Sequence, residues 1–203
     1  MSFLRALFGP SKEEIWSQIA REFGGRYEDG GFFGKDCVRV RCSDWEILLD
    51  TYTERHNKHS HTYTRIRAPF INKDGLYFRI YRSGLFTPLG KMIGLQDIEI
   101  GQPAFDEAYV IKGNNEAKLR QFFAHRPLQI CLGSLAEVDL EIRDDEGWLG
   151  ASFPDGVDML YCSRRGLVTD AQELRDLFDL FSASLERLVA MDSAYEDDPG
   201  IRL

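Results

Sequence analysis

The chain has 203 residues, 43% of them apolar and 29% charged, the composition of an ordinary folded domain and length enough to bury about 70% of the surface an unfolded chain exposes. A formal charge of −8 at pH 7 argues against nucleic acid as a partner, because that affinity comes mainly from lysine and arginine neutralising phosphates. Nothing approaches the roughly eighteen uninterrupted apolar residues of a membrane-spanning helix.

Residues 1–9 form an apolar segment in which Phe3, Leu4, Ala6, Leu7 and Phe8 are interrupted by Arg5 and stopped by Gly9 and Pro10. It is too short for a signal-type apolar core with a cleavage site, although a short amphipathic turn of this kind can lie in a bilayer interface. Ser11 with Glu14 is a capping box, which predicts a helix over 12–23 with Ile15, Trp16, Ile19 and Phe23 on one stripe and Gly24-Gly25 as its stop.

From Gly30 the apolar period changes to two. Val38, Val40 and Cys42 alternate with Arg39 and Arg41; Trp45, Ile47 and Leu49 alternate with Glu46, Leu48 and Asp50. A weaker alternation over 61–67 sets Tyr63, Arg65 and Arg67 opposite Thr62, Thr64 and Ile66, and Leu76, Phe78 and Ile80 alternate with Tyr77, Arg79 and Tyr81. Short turns at 43–44, 55–60 and 72–75 predict an antiparallel meander.

Residues 84–101 read as a connection, followed by a strand at 109–112. Asn115 caps a helix carrying Leu119, Phe122 and Phe123, and Pro127 interrupts it before a second piece that runs to Leu135. Strands follow at 138–142, 148–153 and 157–162. Thr169 with Gln172 predicts the start of a long helix lined by Leu174, Leu177, Phe178, Phe181, Leu185 and Leu188 and ending near Met191. The polar, acidic residues 195–203 are expected to fray. The fold class is therefore α+β: antiparallel sheets with an N-terminal helix, a central interrupted helix and a long C-terminal helix, in one domain over 10–194 with possible halves 10–100 and 104–194.

Several chemistries fail on spacing. The glycines of 84–90 stand too far apart for a phosphate loop, and Met92 follows Lys91 where serine or threonine is required. Cys37, Cys42, Cys131 and Cys162 form no C-x-x-C pair, so reduced thiols and a cytoplasmic location are expected. What stands out is one strand face on which arginines and tyrosines, Tyr52 among them, alternate. Guanidinium forks take carboxylate or phosphate through paired hydrogen bonds, and tyrosines add flat apolar area. The expected site is Arg39, Arg41, Tyr63, Arg65, Arg67, Tyr77, Arg79 and Tyr81, serving a non-catalytic binding or scaffold module for a small anionic ligand or a partner protein, with no cofactor. The same face has a plainer reading, because a strand bearing Glu46, Asp50 and Glu54 between two arginine strands also makes ordinary cross-strand ion pairs.

Two alternatives stand beside it. Asp97, Glu99 and Asp106 with His56, His59 and His61 would suit a metal-dependent hydrolase, and the apolar start of the chain would suit a peripheral membrane protein. The strings "TYTRIRAPF" (62–70), "IGLQDIEIG" (93–101) and "FDEAYVIKGNNEAKLRQFF" (105–123) resemble a family of uncharacterised bacterial proteins over most of the chain. That resemblance implies a soluble bacterial protein and transfers no functional residue.

Overall fold

The computed structural model describes residues 10–31, 35–56, 59–84, 96–144 and 153–203. The apolar segment 1–9, most of the 84–101 connection and the strand expected at 148–153, except Phe153, lie outside these residues. Helix α1 (Lys12–Glu22) begins as the sequence predicts: Ser11 Oγ accepts from Glu14 N at 3.2 Å and Glu14 Oε2 accepts from Ser11 N at 3.0 Å. Its end is set by Gly24, with φ +65°, and by Gly25, where a Cβ would lie 2.2 Å from the carbonyl oxygen of Arg39. A side chain at 25 would therefore push α1 off the strand that carries Arg39.

The strands are β1 (Arg26–Glu28), β2 (Cys37–Cys42), β3 (Trp45–His56), β4 (His59–Asn72), β5 (Phe78–Arg82), β6 (Gln96–Ile98), β7 (Tyr109–Gly113), β8 (Asp139–Arg143), β9 (Val157–Arg165) and β10 (Ala194–Tyr195). They form one sheet in the order β1-β2-β3-β4-β9-β8-β5-β7-β6, with β10 added to β4 and every neighbouring pair antiparallel. The meander runs only from β1 to β4. Beyond it β9 and β8 from the second half of the chain stand between β4 and β5, a neighbour relation that alternation does not encode because it specifies facing alone. Pairing of β3 with β4 stops at Arg67, before Pro69, which has no N–H to offer a ladder, and β10 takes that edge at Ile71 and Asn72.

The remaining helices are α2 (Pro103–Ala108), α3 (Glu116–Phe123), α4 (Arg126–Ser134) and α5 (Ala171–Ala190). Asn115 Oδ1 accepts from Lys118 N at 3.1 Å at the start of α3, and the break before α4 falls ahead of Pro127, whose ring cannot continue the preceding turn. At α5 the cap is Asp170, one residue beyond Thr169; its Oδ1 accepts from Glu173 N at 2.8 Å, and aspartate is favoured over threonine at this position. Val38, Val40, Ile47, Leu49, Ile66, Phe70, Phe78, Ile80, Leu140, Ile142 and Leu160 line one face of the sheet and join buried residues of every helix in a single apolar cluster. Burial of each large apolar side chain such as Leu177 or Phe181 on α5 contributes about 1.5–3 kcal/mol. Trp16 Nε1 fixes α1 to the lead-in of α5 by donating to Val168 O at 3.1 Å.

Candidate functional site

The opposite sheet face carries the polar half of the alternation. Reading the registers across the sheet gives one continuous row of cross-strand partners: Arg26, Arg39, Leu48, Arg67, Tyr161, Glu141, Arg79, Lys112 and Asp97. Cross-strand partners share a face, so Arg39, Arg67 and Arg79 stand on one surface, with Arg65 and Tyr63 two and four residues further back along β4. Three of the expected residues meet. Arg39, Arg65 and Arg67 line a hollow of about 250 Å³ between β2, β3 and β4, together with Lys35, Cys37, Leu48, Asp50 and Leu203. Four cationic side chains and one carboxylate thus surround the space.

Asp50 organises this group. Its Oδ1 accepts from Arg65 Nε at 2.6 Å, and its Oδ2 accepts from Arg65 Nη2 at 2.9 Å and from Arg67 Nη2 at 3.0 Å. Arg67 is 3% exposed and Asp50 is likewise buried. Burial works against the Arg65 charge, but the hydrogen bonds and charge of Asp50 outweigh it and raise the pKa. For Arg67 burial dominates: with Arg65 and Arg39 repelling and Asp50 only partly offsetting, its pKa falls to about 10. It stays charged at neutral pH. Arg39 uses Nε on Glu28 at 3.1 Å, Nη1 on Glu46 at 2.6 Å and Nη2 on the main-chain oxygen of Leu203 at 2.8 Å. Cys37 is no nucleophile here, since burial pushes its thiol up to about 11.

The other five expected residues sit elsewhere on the face. Arg41 is exposed and faces Asp44 at 3.8 Å. Tyr63 stacks on Tyr52 with ring centroids 5.0 Å apart, and Arg65 lies over Tyr52 at 5.2 Å. Arg79 is three strand spacings from Arg67, about 14 Å, where Asp139 grips it through two bonds of 2.6 Å each and Glu141 stands at 3.8 Å. Tyr81 lies beneath Arg79 at 5.6 Å, and Tyr77, half-buried ahead of β5, has its phenol pushed up to about 12 by burial and by Glu141. Arg79 and Arg39 are each answered by two local carboxylates, Asp139 and Glu141 for the first and Glu28 and Glu46 for the second; the clusters differ in that Arg39, with Arg65 and Arg67, lines a hollow.

Sequence reading passed over Lys35, Cys37, Leu48, Asp50 and Leu203. Asp50 was visible as the carboxylate between two arginine strands; nothing in the sequence pointed to Leu203. The metal-ligand set does not converge. His61 on β4 and Asp97 on β6 are five strand spacings apart, about 24 Å. Lys112 Nζ donates to Asp97 at 2.5 Å, Ile100 N donates to Asp106 at 2.8 Å, and the side chains of His56 and His59 lie outside the described residues. Among the described residues no group of three or more His, Cys, Asp or Glu is placed to hold a metal ion, and no helix is long and apolar enough to cross a membrane. No protein family, curated protein or solved structure matches the chain.

Proposed function

We propose that this chain is a non-catalytic binding module that captures a small anionic ligand, through a carboxylate or phosphate group, in the hollow between β2, β3 and β4. The observation that carries the reading is the convergence of Lys35, Arg39, Arg65 and Arg67 around one concavity in a chain whose overall charge is −8. Charge-assisted hydrogen bonds to such a group contribute about 1.5–3 kcal/mol each, and Asp50 holds Arg65 and Arg67 in place before any ligand arrives. The three guanidiniums are poor acid–base catalysts, because they do not give up protons near neutral pH. Four free thiols, two of them buried, support a reducing compartment and hence the cytoplasm.

Calorimetric titration with inorganic phosphate and with a short dicarboxylate at low ionic strength tests this reading. Arg39→Gln should weaken whichever anion binds by about tenfold or more, while Arg79→Gln leaves the affinity alone. Equal losses in both variants would contradict it.

A further inference from the structure

Leu203, at the end of the described residues 196–203, stands in the hollow beside Arg39. Leu203 lines the hollow, and its main-chain oxygen takes the Nη2 donor of Arg39 at 2.8 Å, while the Nε and Nη1 donors of the same guanidinium are engaged by Glu28 and Glu46. A phosphate or carboxylate oxygen that meets Arg39 Nη2 where the Leu203 oxygen now sits must displace it. The segment is anchored upstream. Tyr195 pairs with Ile71 and Ala194 with Asn72, Lys73 N donates to Ser193 O at 3.0 Å, and Lys118 Nζ donates to Ser193 Oγ at 3.0 Å. After Tyr195 no helix or strand follows, Gly200 N donates locally to Asp198 at 2.8 Å, and among the described residues the Arg39 contact is the one hydrogen bond that ties 196–203 to the rest of the chain.

The path is short for its length. Because β9 occupies one side of β4 at Ile71, β10 lies on the β3 side, one strand spacing from β2. Four residues along the strands and one spacing across make about 14 Å from Tyr195 to Arg39, whereas eight residues reach up to about 27 Å. The segment can therefore leave the hollow without disturbing β10.

Building on the anion-binding reading, we infer that residues 196–203 are an intramolecular occupant of the hollow, a strap whose Leu203 competes with the external ligand for Arg39. The free hollow is the binding-competent state, so the observed dissociation constant exceeds the intrinsic one by the inverse of the fraction with the strap released.

The test follows Leu203 methyl and arginine Nε–H resonances of the full chain while inorganic phosphate is added. The strap predicts that Arg39 and Arg65 shift together with Leu203, whose methyls move to solvent-exposed positions. Shifts of Arg39 and Arg65 with Leu203 unmoved would overturn the strap and leave the anion site standing; no shift at any of the three would overturn both. A variant lacking 196–203, with its fold checked by thermal melting, should bind phosphate about tenfold tighter, as expected from losing one charge-assisted competitor. Unchanged affinity there overturns the strap.

Discussion

Arg65 holds Asp50 through two arms of its guanidinium, at 2.6 and 2.9 Å, across a directly paired position of β3 and β4. The same carboxylate reaches Arg67, so one buried anion fixes two guanidiniums on consecutive same-face positions of one strand. Asp50→Asn removes that anion and leaves two like charges side by side in a buried setting. A loss of about 3–5 kcal/mol in guanidinium-chloride unfolding is expected, against less than about 0.5 kcal/mol for Asp44→Asn at the exposed Arg41 pair.

Close approach at Gly25 links the first helix to the hollow. Gly25→Ala places a methyl 2.2 Å from Arg39 O, so α1 and β2 must separate. The expected cost is about 1–3 kcal/mol of stability, with weaker anion binding because Arg39 moves with its backbone. Thermal melting and phosphate titration of the same variant read both effects; a normal melt with normal affinity would contradict the linkage.

Much of this architecture was legible because alternation is a strong local signal. The period-two runs around Val38, Ile47 and Phe78 assigned strands and faces, the Ser11–Glu14 capping box and Pro127 placed helix ends, and the apolar stripe from Leu174 to Leu188 marked α5, whose cap is Asp170 in place of the expected Thr169. Helix α2 was missed: it has six residues, and Gln102 makes no side-chain cap. The order of strands was invisible too, because the insertion of β9 and β8 beside β4 depends on contacts more than eighty residues away in sequence, such as Arg67 with Tyr161. The site shows the same limit. Alternation gathered eight arginines and tyrosines on one face but could not tell Arg79, enclosed by Asp139, from Arg39, which reaches Leu203 164 residues along the chain.

The core should respond where α5 meets α1. Phe178 is fully buried and its ring centroid lies 5.1 Å from that of Phe23. Phe178→Ala removes a large side chain that its neighbours cannot replace, at a cost of about 3–5 kcal/mol in denaturant unfolding. The hollow lies on the opposite sheet face, so phosphate affinity measured well below the melting temperature should not change.

Acid should loosen the contact between the same two helices. Arg175 donates to both carboxylate oxygens of Glu22, at 2.7 and 3.0 Å, and with Gln18 holds its pKa down from 4.5 to about 2. The folded value is the lower one, so the stabilisation is present above about pH 4.5 and disappears as pH falls towards about 2. Side-chain carboxyl NMR should show the Glu22 midpoint near the lower value, and Arg175→Ala should return it towards the ordinary carboxylate range. An unmoved midpoint would contradict the pairing.

Anion binding on this face is proposed at one place, the hollow of Lys35, Arg39, Arg65 and Arg67. The most direct measurement is a titration of the full chain with inorganic phosphate, following arginine Nε–H resonances assigned by single Arg→Lys replacements. Arg39, Arg65 and Arg67 should shift along one common binding curve that weakens with added salt, with Arg79 and Arg41 stationary. Shifts of equal size at Arg79 or Arg41, or none at Arg39 and Arg65, would rule out the hollow as the anion site.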